Sequence, residues 1–182
     1  DVIAMAIEGH NAGSSGRSNS ISCAAITPEG GIRHVPNLSM FKMVVGQQAN
    51  GVIDIQQPPS VNIKRVARAL KKYTESITVC IPDHARHYRL INEVQNSGAR
   101  IKLISEGEVS GCLAAIVGRK VDIFMGYGFT PEGVMTAAAV KCLGGYFEGK
   151  IAYENDRDKE LARTEGIEDF EKIFKTEDLI LT

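Results

Sequence analysis

Acidic side chains follow two apolar runs in the second half of the chain. Glu106 and Glu108 come directly after the run Ile101–Ile104, and Glu132 follows the run Val121–Met125 after a Gly-Tyr-Gly turn. In open α/β sheets, ligands bind at the carboxyl ends of the strands. These carboxylates therefore predict a site for a divalent cation, a polyol or both. The same residues would also suit helix N-termini, which favour acidic side chains near the helix dipole, and this alternative stays open.

The elements that must position these carboxylates form an alternating pattern of strands and helices between Ile77 and Tyr153. Their strands are continuous apolar runs, which are typical of strands covered on both faces of a largely parallel, layered sheet. Pro131 suits the first turn of a helix, where its missing N–H costs nothing. The predicted strands are 77–81, 100–104 and 121–125, and the predicted helices are 86–97, 107–117 and 131–143. The pattern predicts an α/β fold with a βαβ-rich half from about 77 to 153.

The first third of the chain reads differently, with short strand-like runs separated by turn residues. The predicted strands are 20–27, 32–35, 40–45 and 52–55, and an amphipathic helix is predicted over 60–73. We divide the chain into a β-rich partial N-terminal lobe (1–58), an α/β lobe with the candidate site (59–153) and a charged C-terminal segment (154–182). Asp1 opens directly on a strand-like segment and Thr182 closes another, so we expect a shortened or partial chain.

Composition excludes several classes of protein. The formal net charge of −1 gives no electrostatic reason to expect nucleic acid or an anionic membrane as a partner. No apolar run approaches the roughly 20 residues that span a bilayer, and no strand is followed by the G-x-G-x-x-G of dinucleotide-binding folds. The cysteines lack a C-x-x-C pair and lie in apolar surroundings, which predicts small hydrophobic residues in a cytoplasmic protein; they are Cys23, Cys80, Cys112 and Cys142.

Four short motifs, in matching order, resemble the class II fructose-1,6-bisphosphatases, including the bacterial bifunctional members that also accept sedoheptulose bisphosphate. Arg86-His87 resembles the end of the family's P-R-H, and Glu106-Gly107-Glu108-Val109 resembles its D-G-D-V. Pro131-Glu132-Gly133-Val134 resembles its P-E-G-V, and Ile7-Glu8-Gly9 resembles part of its D-P-I-E-G-T. The resemblance is strong from 77 to 153, moderate before that stretch and faint after it. It implies a layered sugar-phosphatase fold of the fructose-bisphosphatase and inositol-phosphatase type.

The resemblance also implies an activity, which is hydrolysis of the 1-phosphate of fructose 1,6-bisphosphate by metal-activated water, in gluconeogenesis or related sugar-phosphate metabolism. It implies Mg²⁺ or Mn²⁺ as cofactor, held by Glu8 and Glu132, and catalytic roles for Glu8 and His10. The residues it places against the substrate are Glu8, Gly9, His10, Ser39, His84, Arg86, His87, Glu106, Gly107 and Glu108. We also expect a homo-oligomer, because an incomplete sheet tends to associate through an exposed edge.

The chain departs from the family's motifs at several site positions. Met5 stands where the family has a metal-binding aspartate, and thioether sulfur is a poor ligand for a hard cation. The other replacements are His10 for a threonine, Ser39 for a tyrosine, His84 for a lysine, glutamates for both aspartates of D-G-D, and Phe129 for a glycine. These departures favour an alternative function, that of a catalytically impaired or non-catalytic relative that still binds sugar phosphates.

Overall fold

The computed structural model describes residues 1–182 and confirms the predicted α/β class. The strands are β1 (Val2–Glu8), β2 (Ile21–Ile26), β3 (Ser39–Val45), β4 (Thr78–Pro82), β5 (Arg100–Ile104), β6 (Ile123–Phe129), β7 (Tyr146–Ile151) and β8 (Ile173–Lys175). The helices are α1 (His10–Ser14), α2 (Pro59–Ala69), α3 (Tyr88–Asn96), α4 (Glu108–Val117), α5 (Thr130–Leu143), α6 (Asp156–Thr164) and α7 (Thr176–Leu179). The predicted alternation of strands and helices from β4 to β7 is therefore confirmed.

Six strands form one mixed sheet in the order β5-β4-β6-β3-β7-β8. β4 pairs in parallel with β5 and β6, as predicted for the βαβ half. The expectation of a largely parallel sheet is wrong for the other half, because β3 runs antiparallel to both β6 and β7 and β8 runs antiparallel to β7. The partners of β3 lie some 80 to 110 residues further along the chain, so local sequence could not reveal this pairing.

Helices cover both faces of this sheet, and each face has its own hydrophobic core. One core contains α4 and α5 and takes Met40 and Val44 from β3, while the other contains α2 and α3 and takes Met43 and Val45. Successive side chains of a strand point to opposite faces, which is why β3 contributes to both cores. Lys42 lies between Met40 and Val44 in this alternation and is itself fully buried, so a charged side chain points into an apolar layer.

Two strand predictions in the first third are wrong. Residues 52–55 form no strand, because side chains rather than a neighbouring strand accept their N–H groups: Asn62 Oδ1 accepts from Asp54 at 2.8 Å and Glu148 Oε2 accepts from Ile55 at 2.7 Å. The run 32–35 contributes only a single bridge, between Ile32 and Ile180. Both segments have residues typical of strands, but their backbone groups bond to side chains or to a single bridge partner instead of to a neighbouring strand.

β1 and β2 form a separate antiparallel ribbon, in which Val2 faces Ile26 and the register shifts between Met5 and Glu8. Its inner side packs on the core of α4 and α5, whereas Val2 and Ile26 are exposed on its outer side. The six-stranded sheet takes β3 from 1–58 and β8 from 154–182, so it crosses both predicted domain boundaries, and the three-part division stays a prediction. None of the helices is long and apolar enough to cross a membrane.

Candidate functional site

The carboxyl ends of β4, β5 and β6 and the end of β1 surround one cavity of about 480 Å³. It is lined by Glu8, Gly9, His10, Pro82, Asp83, His84, Arg86, Ile104, Ser105, Glu106, Gly107, Glu108, Tyr127, Gly128, Phe129 and Glu132. This place at strand ends is where α/β sheets bind their ligands. All of the residues predicted for the site line this cavity except Ser39 and His87.

Two glycine turns bring the ribbon and the main sheet into contact at the cavity. Gly107 has a φ of 85°, and a Cβ there would lie 2.2 Å from the backbone oxygen of Asn19. Gly9 has a φ of 76°, and a Cβ there would lie 2.9 Å from the same oxygen. Only glycine adopts this conformation freely and leaves room for so close an approach. The turn before β2 therefore packs directly against the Glu106-Gly107-Glu108 loop.

Glu106 faces solvent at the cavity rim and is held by α1. The Ala12 N–H donates to Glu106 Oε2 at 2.9 Å, and the Asn11 amide donates to Oε1. These two hydrogen bonds lower the pKa of Glu106. The carboxylate is therefore ionised and oriented near neutral pH, and its remaining lone pairs are available to a hydroxyl group in the cavity.

Glu8 and Glu108 meet at the inner wall of the cavity. The Glu108 backbone N–H donates to Glu8 Oε1 at 2.6 Å, while Glu8 Oε2 is buried without a partner. Burial raises the pKa of Glu8 to about 7, although the Glu108 N–H opposes this shift. Burial also raises the pKa of Glu108, against the lowering effect of the Lys42 ammonium that forms an ion pair with it. Glu8 can therefore exchange its proton near neutral pH.

We expect Glu8 to make the fold less stable as pH rises from about 4.5 to about 7. Its pKa is higher in the fold than the ordinary 4.5, so the native state binds more protons than the unfolded state in that range and loses stability as pH rises. Glu8→Gln removes this pH-dependent contribution to stability, because glutamine does not ionise. Thermal unfolding of both proteins between about pH 5 and about pH 8 should show the midpoint of the wild type falling relative to that of the variant.

His87 has the opposite effect on the pH dependence of stability. Burial lowers its pKa to about 4, so the fold becomes more stable as pH rises towards the ordinary pKa of 6.5. That contribution of His87 is common to both proteins, so the difference between them reports on Glu8 and its interaction with Glu108. Parallel curves for wild type and variant would contradict the assignment.

Arg86 extends along the opposite side of the cavity. Its Nη2 donates to the Tyr127 carbonyl oxygen at 3.0 Å, and its guanidinium carbon lies 5.9 Å from the centre of the Tyr127 ring. Its backbone N–H reaches His84 Nδ1 at 3.4 Å. A guanidinium has five N–H donors in a planar fork that matches phosphate. This side of the cavity can therefore bind a phosphate group.

Two residues predicted to contact the substrate do not line the cavity. His87 is fully buried, and its Nε2 accepts a hydrogen bond from the Tyr127 N–H at 2.8 Å. With a pKa of about 4 it is neutral near pH 7, so it fixes the end of β6 and carries no charge for a phosphate. Ser39 pairs with Phe129 in the sheet. Direct contact of either residue with a substrate stays a prediction.

The predicted metal ligands supply only part of a cation centre. Glu8 and Glu132 each keep a buried carboxylate oxygen without a hydrogen-bond partner, which is the donor type that Mg²⁺ and Mn²⁺ prefer. No three His, Cys, Asp or Glu side chains of residues 1–182 are grouped so that they could hold a metal ion. Glu8 and Glu132 would therefore need further ligands, such as water or substrate phosphate, to complete the coordination of a cation.

Sequence reasoning missed Lys42 and Tyr127. Lys42 donates to the Phe129 carbonyl oxygen at 2.7 Å and pairs with Glu108, and Tyr127 supplies the carbonyl that Arg86 binds. A signal for Lys42 was present, since it is the one charged residue in the apolar run Met40–Val45. No comparable signal marked Tyr127, whose carbonyl oxygen and ring both lie against Arg86.

Comparison with known proteins gives a family match over the whole chain: the family described as "Bacterial fructose-1,6-bisphosphatase, glpX-encoded" matches residues 1–182. A Synechococcus species has a "D-fructose 1,6-bisphosphatase class 2/sedoheptulose 1,7-bisphosphatase" that is 35% identical over 193 residues, covering 98% of this chain and 55% of its own length. The protein of that description from Gloeobacter violaceus is 33% identical over 192 residues, covering 98% and 56%. The one from a Synechocystis species is 37% identical over 155 residues, covering 85% and 45%. The chain thus spans about 55% of the length of the first of these relatives.

Proposed function

The chain belongs to the bacterial class II fructose-1,6-bisphosphatase family, and from this premise we propose that its cavity binds a sugar bisphosphate and serves hydrolysis of the 1-phosphate. Its α/β sheet with helices on both faces is of the layered sugar-phosphatase type. The observation that carries the proposal is that Glu106 and Glu108, from the connection after β5, and Arg86, from the segment after β4, converge on one cavity. Carboxylates accept from sugar hydroxyls and a guanidinium binds phosphate, so these groups suit both parts of such a substrate.

The proposed roles follow from the contacts. Arg86 binds a phosphate group through the N–H donors that Tyr127 does not use. Glu106, fixed by α1, and Glu108, fixed by Lys42, accept from sugar hydroxyls. Without a bound cation, Glu8 has a pKa of about 7 and can give or take a proton near neutral pH. Once it binds a cation, its carboxylate is held ionised and serves as a ligand. His10 lines the same part of the cavity.

Membership of the family implies dependence on a divalent metal, and Mg²⁺ or Mn²⁺ is part of the proposal. Such a cation polarises a phosphoryl group and activates water. Mg²⁺ commonly binds through one or two carboxylates together with substrate phosphate and water, so Glu8 and Glu132 suit a cation that arrives with the substrate. Metal alone should then leave the unfolding temperature almost unchanged, whereas metal with substrate should raise it.

A second candidate function is sugar-phosphate binding without turnover. The specific observation in its favour is that Met5 takes the place of a metal-binding carboxylate while no three potential ligands are grouped in the chain. Loss of one group that stabilises a transition state commonly costs about 100- to 1,000-fold in rate. In that case the cavity would keep Arg86, Glu106 and Glu108 for binding but would lack efficient hydrolysis.

The test is phosphate release from fructose 1,6-bisphosphate by the purified chain, with Mn²⁺ and with EDTA, beside thermal unfolding with the same additions. Metal-dependent release supports hydrolysis. A rise in unfolding temperature with the bisphosphate, without release, supports the binding protein. Neither release nor a rise would reject both. A cytoplasmic location, a role in gluconeogenesis or related sugar metabolism, and assembly as a homo-oligomer are further parts of the proposal.

A further inference from the structure

Lys42 differs from every other lysine and arginine of the chain because its side chain is fully buried. An unpaired charge inside a protein is costly, and even a paired one is often no more stable than apolar residues of the same volume. A contribution to the stability of the fold therefore does not account for a buried lysine in an apolar strand. Its stem lies against Gly133 of α5, where a Cβ would come 3.5 Å from the Lys42 Cδ, so the packing around it is already close.

The Lys42 ammonium has two partners, and both belong to the cavity wall. It donates to the Phe129 carbonyl oxygen at 2.7 Å and pairs with the Glu108 carboxylate. Phe129 and Glu108 line the cavity, whereas Lys42 does not. Lys42 consequently reaches a ligand only through these two residues. It connects β3, the end of β6 and the start of α4 at a single point.

The Glu108 carboxylate, held by Lys42, occupies a tightly enclosed space. The Glu108 carboxylate lies over Gly128, where even a Cβ would come within 1.3 Å of Oε2. The backbone N–H of the same residue donates to Glu8 Oε1 at 2.6 Å. Glu108 is thereby fixed at both its backbone and its side chain, and the ammonium of Lys42 is the only cation paired with its carboxylate.

We propose that Lys42 is a positioning residue of the sugar-phosphate site: its buried ammonium holds the Glu108 carboxylate beside Gly128, where the carboxylate accepts from a substrate hydroxyl. The binding part of this inference rests on the proposed function. The positioning part rests only on the contacts of Lys42. Residues that orient metal ligands commonly matter about 10- to 100-fold, and we expect an effect of that size for a residue that holds a substrate-binding carboxylate.

Lys42→Met keeps the length and volume of the stem and removes the charge. We expect this variant to bind fructose 1,6-bisphosphate at least about tenfold more weakly by titration calorimetry. The control is Lys72→Met, which breaks the 2.6 Å ion pair with Asp122 next to the amino end of β6. The control should bind like the wild type, since it removes a lysine ion pair away from the cavity. Equal binding by Lys42→Met and wild type would overturn the proposal.

A double-mutant cycle separates positioning from a general loss of packing. Glu108→Gln alone should weaken binding to a similar extent, and Lys42→Met added to Glu108→Gln should weaken it little further. The double variant also leaves no unpaired buried charge, so it provides a folded protein if Lys42→Met alone does not fold. Fully additive losses would mean that Lys42 acts other than through Glu108, which would overturn the proposal.

A crystal structure of Lys42→Met without ligand tests the positioning independently of binding. If that variant does not fold, the structure of Lys42→Gln, which keeps Glu108, serves instead. We expect the Glu108 carboxylate to leave its place beside Gly128. A carboxylate that stays there would overturn the proposal. If the wild type itself binds no sugar bisphosphate, the proposed function fails, while this structure still decides whether Lys42 positions Glu108.

Discussion

Replacing Arg86 with glutamine should weaken binding of fructose 1,6-bisphosphate by about 10- to 100-fold. A hydrogen bond to a charged group contributes about 1.5–3 kcal/mol, and each 1.4 kcal/mol corresponds to a tenfold change in affinity. Glutamine keeps a polar side chain at the cavity but loses the charge and the planar fork that suits phosphate. The measurement is titration calorimetry on the metal-free protein, so that phosphate binding is separated from any cation.

Arg89 provides the matched control for this prediction. It lies three residues further along, its side chain is 92% exposed, and its one ion pair is with Glu93 on the same helix. Arg89→Gln changes the net charge of the protein by the same amount and should leave the affinity unchanged. An equal loss in both variants would mean that general electrostatic attraction, rather than the position of Arg86 in the cavity, governs binding.

The second large effect is expected for Gly107→Ala, which should lower the free energy of unfolding by about 3 kcal/mol. About 1–2 kcal/mol of this arises because an L-residue is forced into the left-handed region, where Gly107 has a φ of 85°. The remainder arises because the new Cβ would lie 2.2 Å from the Asn19 backbone oxygen, and overpacking costs about 1–3 kcal/mol. Urea denaturation monitored by circular dichroism gives the value.

Gly118 separates the two causes, because it flanks the other end of the same helix α4 with a φ of 70° and has no atom within 4 Å of the place of a Cβ. Gly118→Ala should therefore cost only the backbone term, about 1–2 kcal/mol. Equal losses at both positions would contradict the close contact between the Asn19 turn and the Glu106-Gly107-Glu108 loop.

The sequence predicted well those elements whose bounds depend on interactions between residues close together in the chain. The strand Arg100–Ile104 has the predicted bounds, and the helix predicted over 131–143 begins only one residue earlier. Pro131 suits the first turn of α5, whereas the expectation of strands covered on both faces is wrong for β5, which lies at the edge of the sheet with Leu103 exposed. The apolar runs still placed Glu106, Glu108 and Glu132 at strand exits, whereas the other predicted site residues came from the resemblance to the family.

Distant partners decide the features that could not be predicted. The central place of β3 depends on β6 and β7, and the missing strand at 52–55 depends on side chains of Asn62 and Glu148. A local feature ended one helix early: the helix α2, predicted to continue to Tyr73, ends at Ala69, and Lys71 just after it adopts a φ of 55°. The burial of His87 behind the cavity likewise follows from its bond to β6. None of these contacts produces a periodic pattern of residues that could be recognised in the sequence.

The β1–β2 ribbon brings a further consequence, because it carries Glu8 and leads into Gly9 and His10 while the rest of the cavity belongs to the six-stranded sheet. A pair of strands alone is only marginally stable in water, and the outer side of this one is exposed. The cavity is complete only in the fraction of molecules whose ribbon is docked, and the apparent dissociation constant equals the intrinsic one divided by that fraction. Substitutions that favour the docked ribbon thereby tighten binding without contacting the ligand.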